Sequence, residues 1–258
     1  MKELNRDELL ARRLIAQGLA PSAARPTLAS ALDVAEHLLA LQGQTYDAGI
    51  RALSLRAGCD EQKVLEDIAH FRVVRCWPQR GTLHFMPAAD VRWMSRLLYP
   101  RMASSQKSRR PSLGMSEDMV AAASEALHSA ATEPLSRTEV YEIFAEAGVD
   151  PTEGRGSHLL RAFGGAGDLV QGPKAGNQET FLHVDALPTV QREPEEPLAE
   201  LAQRYVEGHG PVSAADLQAW SKLSKSQATK ALTSTVAQPV FHEGQNSVSY
   251  THLTLPTT

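Results

Sequence analysis

The chain has 258 residues and a net charge of −4 at pH 7, with 42% hydrophobic and 22% charged residues. This is the composition of an ordinary folded protein, and the length allows two or three small domains. No run of 18 apolar residues occurs, which excludes a conventional membrane-spanning helix. The amino-terminal segment is charged and has no apolar core, so we do not expect a secretion signal.

Cysteine and histidine usage narrows the chemistry. Cys59 and Cys76 are the two cysteines, and neither belongs to a C-x-x-C motif. Two lone thiols fit a reducing compartment, so we predict a cytoplasmic protein. The nine histidines are scattered without the spacing of metal ligands. The sequence therefore predicts no metal and no cofactor.

Positive charge is concentrated in residues 71–116. This segment contains nine basic residues and one acidic residue, a net charge of +8, which leaves −12 for the rest of the chain. Such asymmetry predicts one basic face for a polyanion on an otherwise acidic protein. The alternative is a solvated helix face that has no partner.

The first part of the chain predicts helices followed by a hairpin. Apolar residues at helical spacing predict helices at residues 7–17, from 27 or 30 to 42, 48–56 and 60–70. Two short β-like runs follow at 73–77 and 82–86, around a turn at 78–81. Compact helices followed by a hairpin are typical of a winged helix, in which the hairpin rests on the DNA backbone. A helix at 91–102 and a polar, basic loop at 104–114 complete this part.

The same order of elements returns twice. Ser136 with Glu139, and Ser213 with Asp216, give two copies of one helix start signal. An acidic, proline-rich linker separates them at 188–197. We therefore predict a mainly α fold with small β-hairpin wings, made of three tandem winged-helix units. The predicted divisions are 1–103, 104–187, 188–250 (a truncated third unit) and 251–258 (a non-native tail without charge or pattern).

Two glutamines flank a glycine at the end of the predicted second helix. The apolar run 34–41 precedes Gln42, and Gly43 offers a helix stop before Gln44. Each neutral amide has an acceptor oxygen and two N–H donors, so the pair can hold a water or a polar ligand. The alternative is that both amides cap the helix and face solvent.

Three other chemically capable side chains are better explained as structural. His84 lies alone on an apolar strand, which is typical of a structural histidine rather than a site residue. Trp77 and Trp93 also lie in apolar surroundings. We expect both indoles in the core rather than at a stacking surface.

Several of these segments resemble one known family. The segments 41–44, 75–84 and 209–213, with Asp216 and Trp220 downstream, are similar to the AlkZ-type tandem winged-helix DNA glycosylases. The resemblance extends from residue 7 to about 250. Members of that family excise alkylated purines and unhook interstrand crosslinks in DNA, and they continue into a β-rich part that helps to clasp DNA. Their signature of Gln, any residue, then Gln or Asp is matched by Gln42 and Gln44.

The resemblance implies damaged double-stranded DNA as the partner, with Gln42 and Gln44 as catalytic residues. We also predict a monomer that is associated with the nucleoid and not with a membrane. Most protein contacts to DNA go to phosphates and need basic side chains. The residues predicted to bind DNA are Arg80, Arg92, Arg96, Arg101, Lys107, Arg109, Arg110, Arg155, His158, Arg161 and Lys174.

The predicted activity is a DNA glycosylase that removes N7-alkylated purines or unhooks crosslinks by attack of water at C1′. A purine alkylated at N7 carries positive charge and leaves readily, so two amides that position water suffice. The first alternative is a non-enzymatic winged-helix DNA-binding protein or transcriptional regulator. The second is a protein-interaction module, whose DNA binding would be weak and insensitive to salt.

Overall fold

A computed structural model of the protein describes residues 2–22, 27–242 and 244–249. The predicted tail at 251–258 and the last residue of the predicted third hairpin, Tyr250, lie outside the described residues. None of the described helices is both long and apolar enough to cross a membrane.

Helices dominate the described chain. They are α1 (Arg6–Ala16), α2 (Ala31–Leu38), α3 (Tyr46–Ala57), α4 (Glu61–Ala69), α5 (Val91–Leu98), α6 (Pro100–Lys107), α7 (Glu117–Ala130), α8 (Arg137–Glu146), α9 (Arg155–Ala166), α10 (Pro197–His209), α11 (Ala214–Ser221) and α12 (Lys225–Thr233). The strands are β1 (Lys2–Glu3), β2 (Leu41–Gln42), β3 (Val73–Gln79), β4 (Thr82–Pro87), β5 (Leu135–Ser136), β6 (Leu169–Gln171), β7 (Thr180–His183), β8 (Gln238–His242) and β9 (Gln245–Ser249). The predicted class, mainly α with small sheets, is confirmed.

The described residues form two compact units. The first unit combines the residues up to Leu41 with Thr45–Val64 and the residues from Pro194 onward. The second unit combines Gln42–Gln44 with Leu65–Glu193. The division into three tandem winged-helix units stays a prediction.

The first unit has a helical core and a small sheet. Strand β1 pairs in parallel with β8, which pairs in antiparallel with β9. Hydrogen bonds between side chains and backbone carbonyls join its helices: Gln17 Nε2 donates to Gly208 O at 2.9 Å, and Arg204 Nε donates to Glu36 O at 3.1 Å. The predicted start signal at Ser213 and Asp216 is confirmed as a reciprocal capping box.

The second unit has an aromatic core. Phe144, Phe163 and Phe181 are buried together with Trp77. Trp93 is also buried, so both tryptophans lie in the core as predicted. The second predicted start signal, at Ser136 and Glu139, is likewise a reciprocal capping box that begins α8.

One sheet joins the two hairpins of the second unit. Its strand order is β2-β4-β3-β6-β7-β5, and the link between hairpins is the antiparallel pairing of Arg75 with Gln171. Strand β3 is buried along its whole length. The first hairpin is therefore part of the core rather than a free wing, because its strands carry apolar residues on both faces. The partly exposed residues of the hairpin are Arg80, Gly81 and Thr82, and Arg80 and Gly81 both have positive φ, as in a type I′ turn.

Two predicted helix boundaries were wrong. Helix α2 ends at Leu38 rather than at the glutamines, because buried Leu39 takes a positive φ of 66° and the chain then enters β2. The predicted helix at 91–102 is two helices, since Pro100 begins α6, which continues to Lys107 into the predicted loop. Proline is favoured in the first turn of a helix because it has no N–H to lose there.

Candidate functional site

The two glutamines lie at the β2 edge of the six-stranded sheet. Gln42 is the last residue of β2, and both Gln42 and Gln44 are exposed whereas Gly43 is buried. Gly43 N donates to Leu83 O at 2.8 Å, and Leu83 N donates to Gln44 Oε1 at 3.2 Å. In the described part of the chain, the Gln42 amide has no hydrogen-bond partner. The amides therefore project from a fixed backbone rather than capping a helix.

Arg75 clamps this backbone from inside the sheet. Its side chain is buried, and it donates from Nε to Gly43 O at 2.7 Å and from Nη2 to Gln44 O at 3.1 Å. Nη1 donates to Gln171 Oε1 at 2.8 Å and lies 3.8 Å from Glu179 Oε1. One planar guanidinium thus holds two of the three backbone carbonyls of residues 42–44, those of Gly43 and Gln44. From the sequence, Arg75 was predicted only as one of the nine basic residues of 71–116; its position within an apolar strand was the signal that could have identified it.

Gly43 is required by the close approach of Phe85. A Cβ at position 43 would lie 2.9 Å from Phe85 Cδ2 and 3.2 Å from Phe85 N. We expect Gly43→Ala to lower the free energy of unfolding by about 1–3 kcal/mol, because overpacking forces side chains and backbone to shift. Chemical denaturation of both proteins measures the difference.

The same glycine substitution in a Phe85→Leu background is the control. Removing the ring should reduce the cost of the added methyl group, so the two changes should be coupled. An equal cost in both backgrounds would show that the contact with the ring is not the reason for glycine.

His84 supports the hairpin turn, in agreement with its predicted structural role. It is fully buried, with Nδ1 2.9 Å from Thr82 O and Nε2 3.2 Å from Arg80 Nη2. Burial is the main cause that lowers the pKa of His84 to about 4, and the charge of Arg80 adds to it. The ring is therefore neutral at pH 7, donates from Nδ1 and accepts from Arg80 at Nε2.

Four of the predicted DNA-binding residues meet at one cavity of about 350 Å³, which we call the arginine cavity. It is lined by Arg80, Gly81, Met102, Ser105, Gln106, Arg109, Leu113, Glu153, Gly154, Ser157, His158 and Arg161. Across the described residues, neither Arg109 nor Arg161 has an ion pair. His158 is buried, and its Nε2 has no hydrogen-bond partner there.

Other predicted DNA-binding residues are paired with acids. Arg92 lies 2.7 Å from Asp185, and Arg96 lies 2.8 Å from Glu193. These acids come from beyond the basic segment, so counting charge along the sequence missed them.

The remaining predicted residues lie outside the arginine cavity. Arg110 is buried, and both Arg110 (2.6 Å) and Lys107 (4.0 Å) pair with Glu117. Arg155 pairs with Glu153 at 3.0 Å. Two further residues, Arg101 and Lys174, do not line the cavity and have contacts of their own.

One cluster has the residue types of a metal site, although the sequence predicted none. The ligand atoms of His128, His183 and Asp185 lie within 4.8 Å of one another. His183 Nδ1 accepts from Asp185 N at 3.2 Å, and the Asp185 carboxylate already pairs with Arg92. The arginine opposes a cation at this position.

The amides of Gln42 and Gln44 and the arginine cavity lie in the same compact unit. The chain belongs to the AlkZ-like DNA glycosylase family, whose profile, described as DNA glycosylase AlkZ-like, matches residues 35–251. The predicted family is confirmed, and with it the prediction of a DNA-repair glycosylase; a regulator is not favoured.

A solved structure agrees with this fold. The Streptomyces sahachiroi DNA glycosylase AlkZ is similar with a TM-score of 0.80 and 23% sequence identity. The match covers 99% of this chain and 74% of that chain. No curated protein sequence matches this chain.

Proposed function

We propose that this protein excises N7-alkylated purines from duplex DNA, and that Gln42 and Gln44 orient the water that attacks C1′. The observation that carries the proposal is the fixed backbone of the motif. Arg75 holds the carbonyls of Gly43 and Gln44, and Leu83 N donates to Oε1 of the Gln44 side chain. Such restraint lets an amide hold a water in one orientation. Correct positioning of the attacking water lowers the activation barrier of the reaction.

The backbone on both sides of Gly43 is held, which supports this role. Gln42 ends strand β2, and Gln44 follows it outside the strand with its carbonyl bound by Arg75. Gln44 Nε2 stays available to donate while its Oε1 accepts from Leu83 N. The pair therefore offers both donors and acceptors to one small ligand.

The chemistry of neutral amides sets the substrate class. An amide is a weak base, so it can direct a water but cannot generate hydroxide. The motif itself contains no carboxylate. The reaction then depends on a leaving group that is already cationic, as a purine alkylated at N7 is. Crosslinks formed through N7 of two purines belong to the same class, and unhooking them is the extension we propose.

We further propose that the chain acts as a monomer on damaged duplex DNA in the nucleoid, through three winged-helix units. Hairpins β3–β4, β6–β7 and β8–β9 each follow a set of helices, which supports three units. The second of the two compact units, which combines Gln42–Gln44 with Leu65–Glu193, contains both the glutamines and the arginine cavity, so the site needs no second copy of the chain.

Base release from a defined lesion tests the proposed activity. Duplex DNA with one N7-methylguanine is incubated with excess protein, and abasic sites are detected as strand breaks after alkali. We expect release from the methylated duplex and none from an unmodified duplex of the same sequence. Absence of release from both the methylated duplex and an N7-crosslinked duplex would contradict the proposal.

A further inference from the structure

We propose that the arginine cavity is a discrete site for one phosphate group of the DNA backbone, bound by its arginines and His158. The phosphate chemistry rests on the cavity alone, whereas the DNA source of the phosphate rests on the proposed function. A discrete site differs from a diffuse basic surface because it binds one phosphate saturably, and a single substitution in it should weaken that binding.

Three arginines reach the cavity from separate elements. Arg80 comes from the β3–β4 turn, Arg109 from the segment after α6 and Arg161 from α9. Guanidinium groups match phosphate geometry because they offer paired, planar N–H donors. A cavity of about 350 Å³ holds a phosphate with several waters. The convergence of these side chains favours a single anion over an extended contact.

Two residues that line the cavity each have a buried nitrogen without a hydrogen-bond partner among the described residues. His158 is only 8% exposed, and its Nε2 has no hydrogen-bond partner among the described residues. The Nε of Arg80 is also buried and also has no hydrogen-bond partner among the described residues. Buried polar atoms in folded proteins are almost always hydrogen-bonded, so two unsatisfied nitrogens on cavity-lining residues favour a ligand that offers acceptors. Both nitrogens are closed off from solvent, so a phosphate oxygen would reach them after their side chains rotate toward the cavity.

Backbone donors contribute less than these side chains. At the start of α9, Arg155 N donates to Thr152 O at 3.0 Å and Gly156 N donates to Pro151 O at 2.9 Å. Both N–H groups are therefore already used. The phosphate would be bound by side chains, which makes the site sensitive to single substitutions.

The balance of charge in the cavity favours an anion. Glu153 is the acid in its lining, and Glu153 Oε2 lies 3.0 Å from Arg155 Nη1, which offsets its charge. Burial lowers the pKa of His158 from its ordinary value. The neighbouring guanidinium groups of Arg110, Arg109 and Arg161 lower the pKa of His158 further. A bound phosphate opposes these repulsions and favours the imidazolium, so binding should raise the pKa of His158.

The first test is an NMR titration with inorganic phosphate. The His158 ring proton is assigned from a His158→Gln variant, and chloride keeps the ionic strength constant. We expect a saturable, one-site rise in the pKa of His158. Arg161→Gln, at an exposed position, should weaken phosphate binding by about tenfold or more, since hydrogen bonds to charged groups are strong. Arg51→Gln, which removes an exposed pair with Glu61, is the matched control and should have no effect.

The second test identifies the source of the phosphate. A short unmodified duplex should produce the same His158 response and compete with inorganic phosphate. Arg161→Gln should reduce the salt dependence of duplex binding by about one counterion. No His158 response to phosphate, or the same response in Arg161→Gln, would overturn the site. A response to phosphate but not to duplex would overturn the DNA source. Failure to release N7-methylguanine while the His158 response persists would overturn only the proposed excision of N7-alkylated purines.

Discussion

Gln42→Ala is expected to lower the single-turnover rate of N7-methylguanine release by about 10²–10³-fold, while affinity for the duplex stays nearly unchanged. The Gln42 amide is exposed and has no hydrogen-bond partner in the described chain, so its removal costs the fold little. What is lost is a donor and acceptor that act on the attacking water. Rates are measured at saturating protein, and duplex affinity is measured separately.

Gln44 allows a sharper comparison. Gln44→Ala removes the acceptor of Leu83 N as well as the site amide, so both stability and rate should fall. Gln44→Glu keeps an oxygen for Leu83 N and a second acceptor for water. The glutamate variant should therefore lose much less activity than the alanine variant. This order distinguishes water orientation from a requirement for an amide donor.

Gln62→Ala is the matched control for both alanine variants. Gln62 is exposed on α4, where alanine is a good helix former, so rate and stability should stay as in the unsubstituted protein. If Gln42→Ala and Gln44→Ala released the base as fast as this control, the glutamines would have no part in the reaction.

Local signals in the sequence were sufficient for many elements. The capping boxes at Ser136 and Ser213 involve residues three positions apart, so the sequence contains the whole interaction. The end of α2 depends instead on the positive φ of Leu39 and on pairing of β2 with β4 across the sheet. Pairing of distant strands is not encoded in a local pattern, which is why the six-stranded sheet that joins the two hairpins was not predicted.

The candidate site shows the same limit. The glutamines could be recognised because their spacing is local, but the clamp on them requires Arg75 to cross the sheet from another strand. The net charge of a surface also depends on acidic residues that are distant in the sequence. Asp185 and Glu193 pair with Arg92 and Arg96 from 93 and 97 residues away, so the fold was needed to show which arginines have no acidic partner.

Arg75→Met is expected to lower the free energy of unfolding by about 3–5 kcal/mol, because it leaves buried acceptors without donors. Those acceptors are Gly43 O, Gln44 O and Gln171 Oε1. Denaturation in urea measures the loss. Arg75→Lys keeps the charge, but one ammonium cannot reproduce the planar fork, so a smaller loss of about 1–3 kcal/mol is expected.

Arg75→Lys should also slow base release by about 10–100-fold at temperatures well below unfolding, because a looser backbone misplaces the amides. A merely structural arginine would not behave this way. Arg56→Lys is the control: Arg56 also donates to backbone carbonyls, those of Gln17 and Ala52, so it should lower stability without lowering the rate.

Coupling to the glutamines decides whether Arg75 is a positioning residue. In a Gln42→Ala background, Arg75→Lys should lower the rate by much less than in the unsubstituted protein, while its cost in stability is unchanged. Rate losses that simply multiply would mean that the arginine acts independently of the motif. If the effects on rate were not additive while the effects on stability were, Arg75 would be established as the residue that positions the two glutamines at the β2 edge of the sheet.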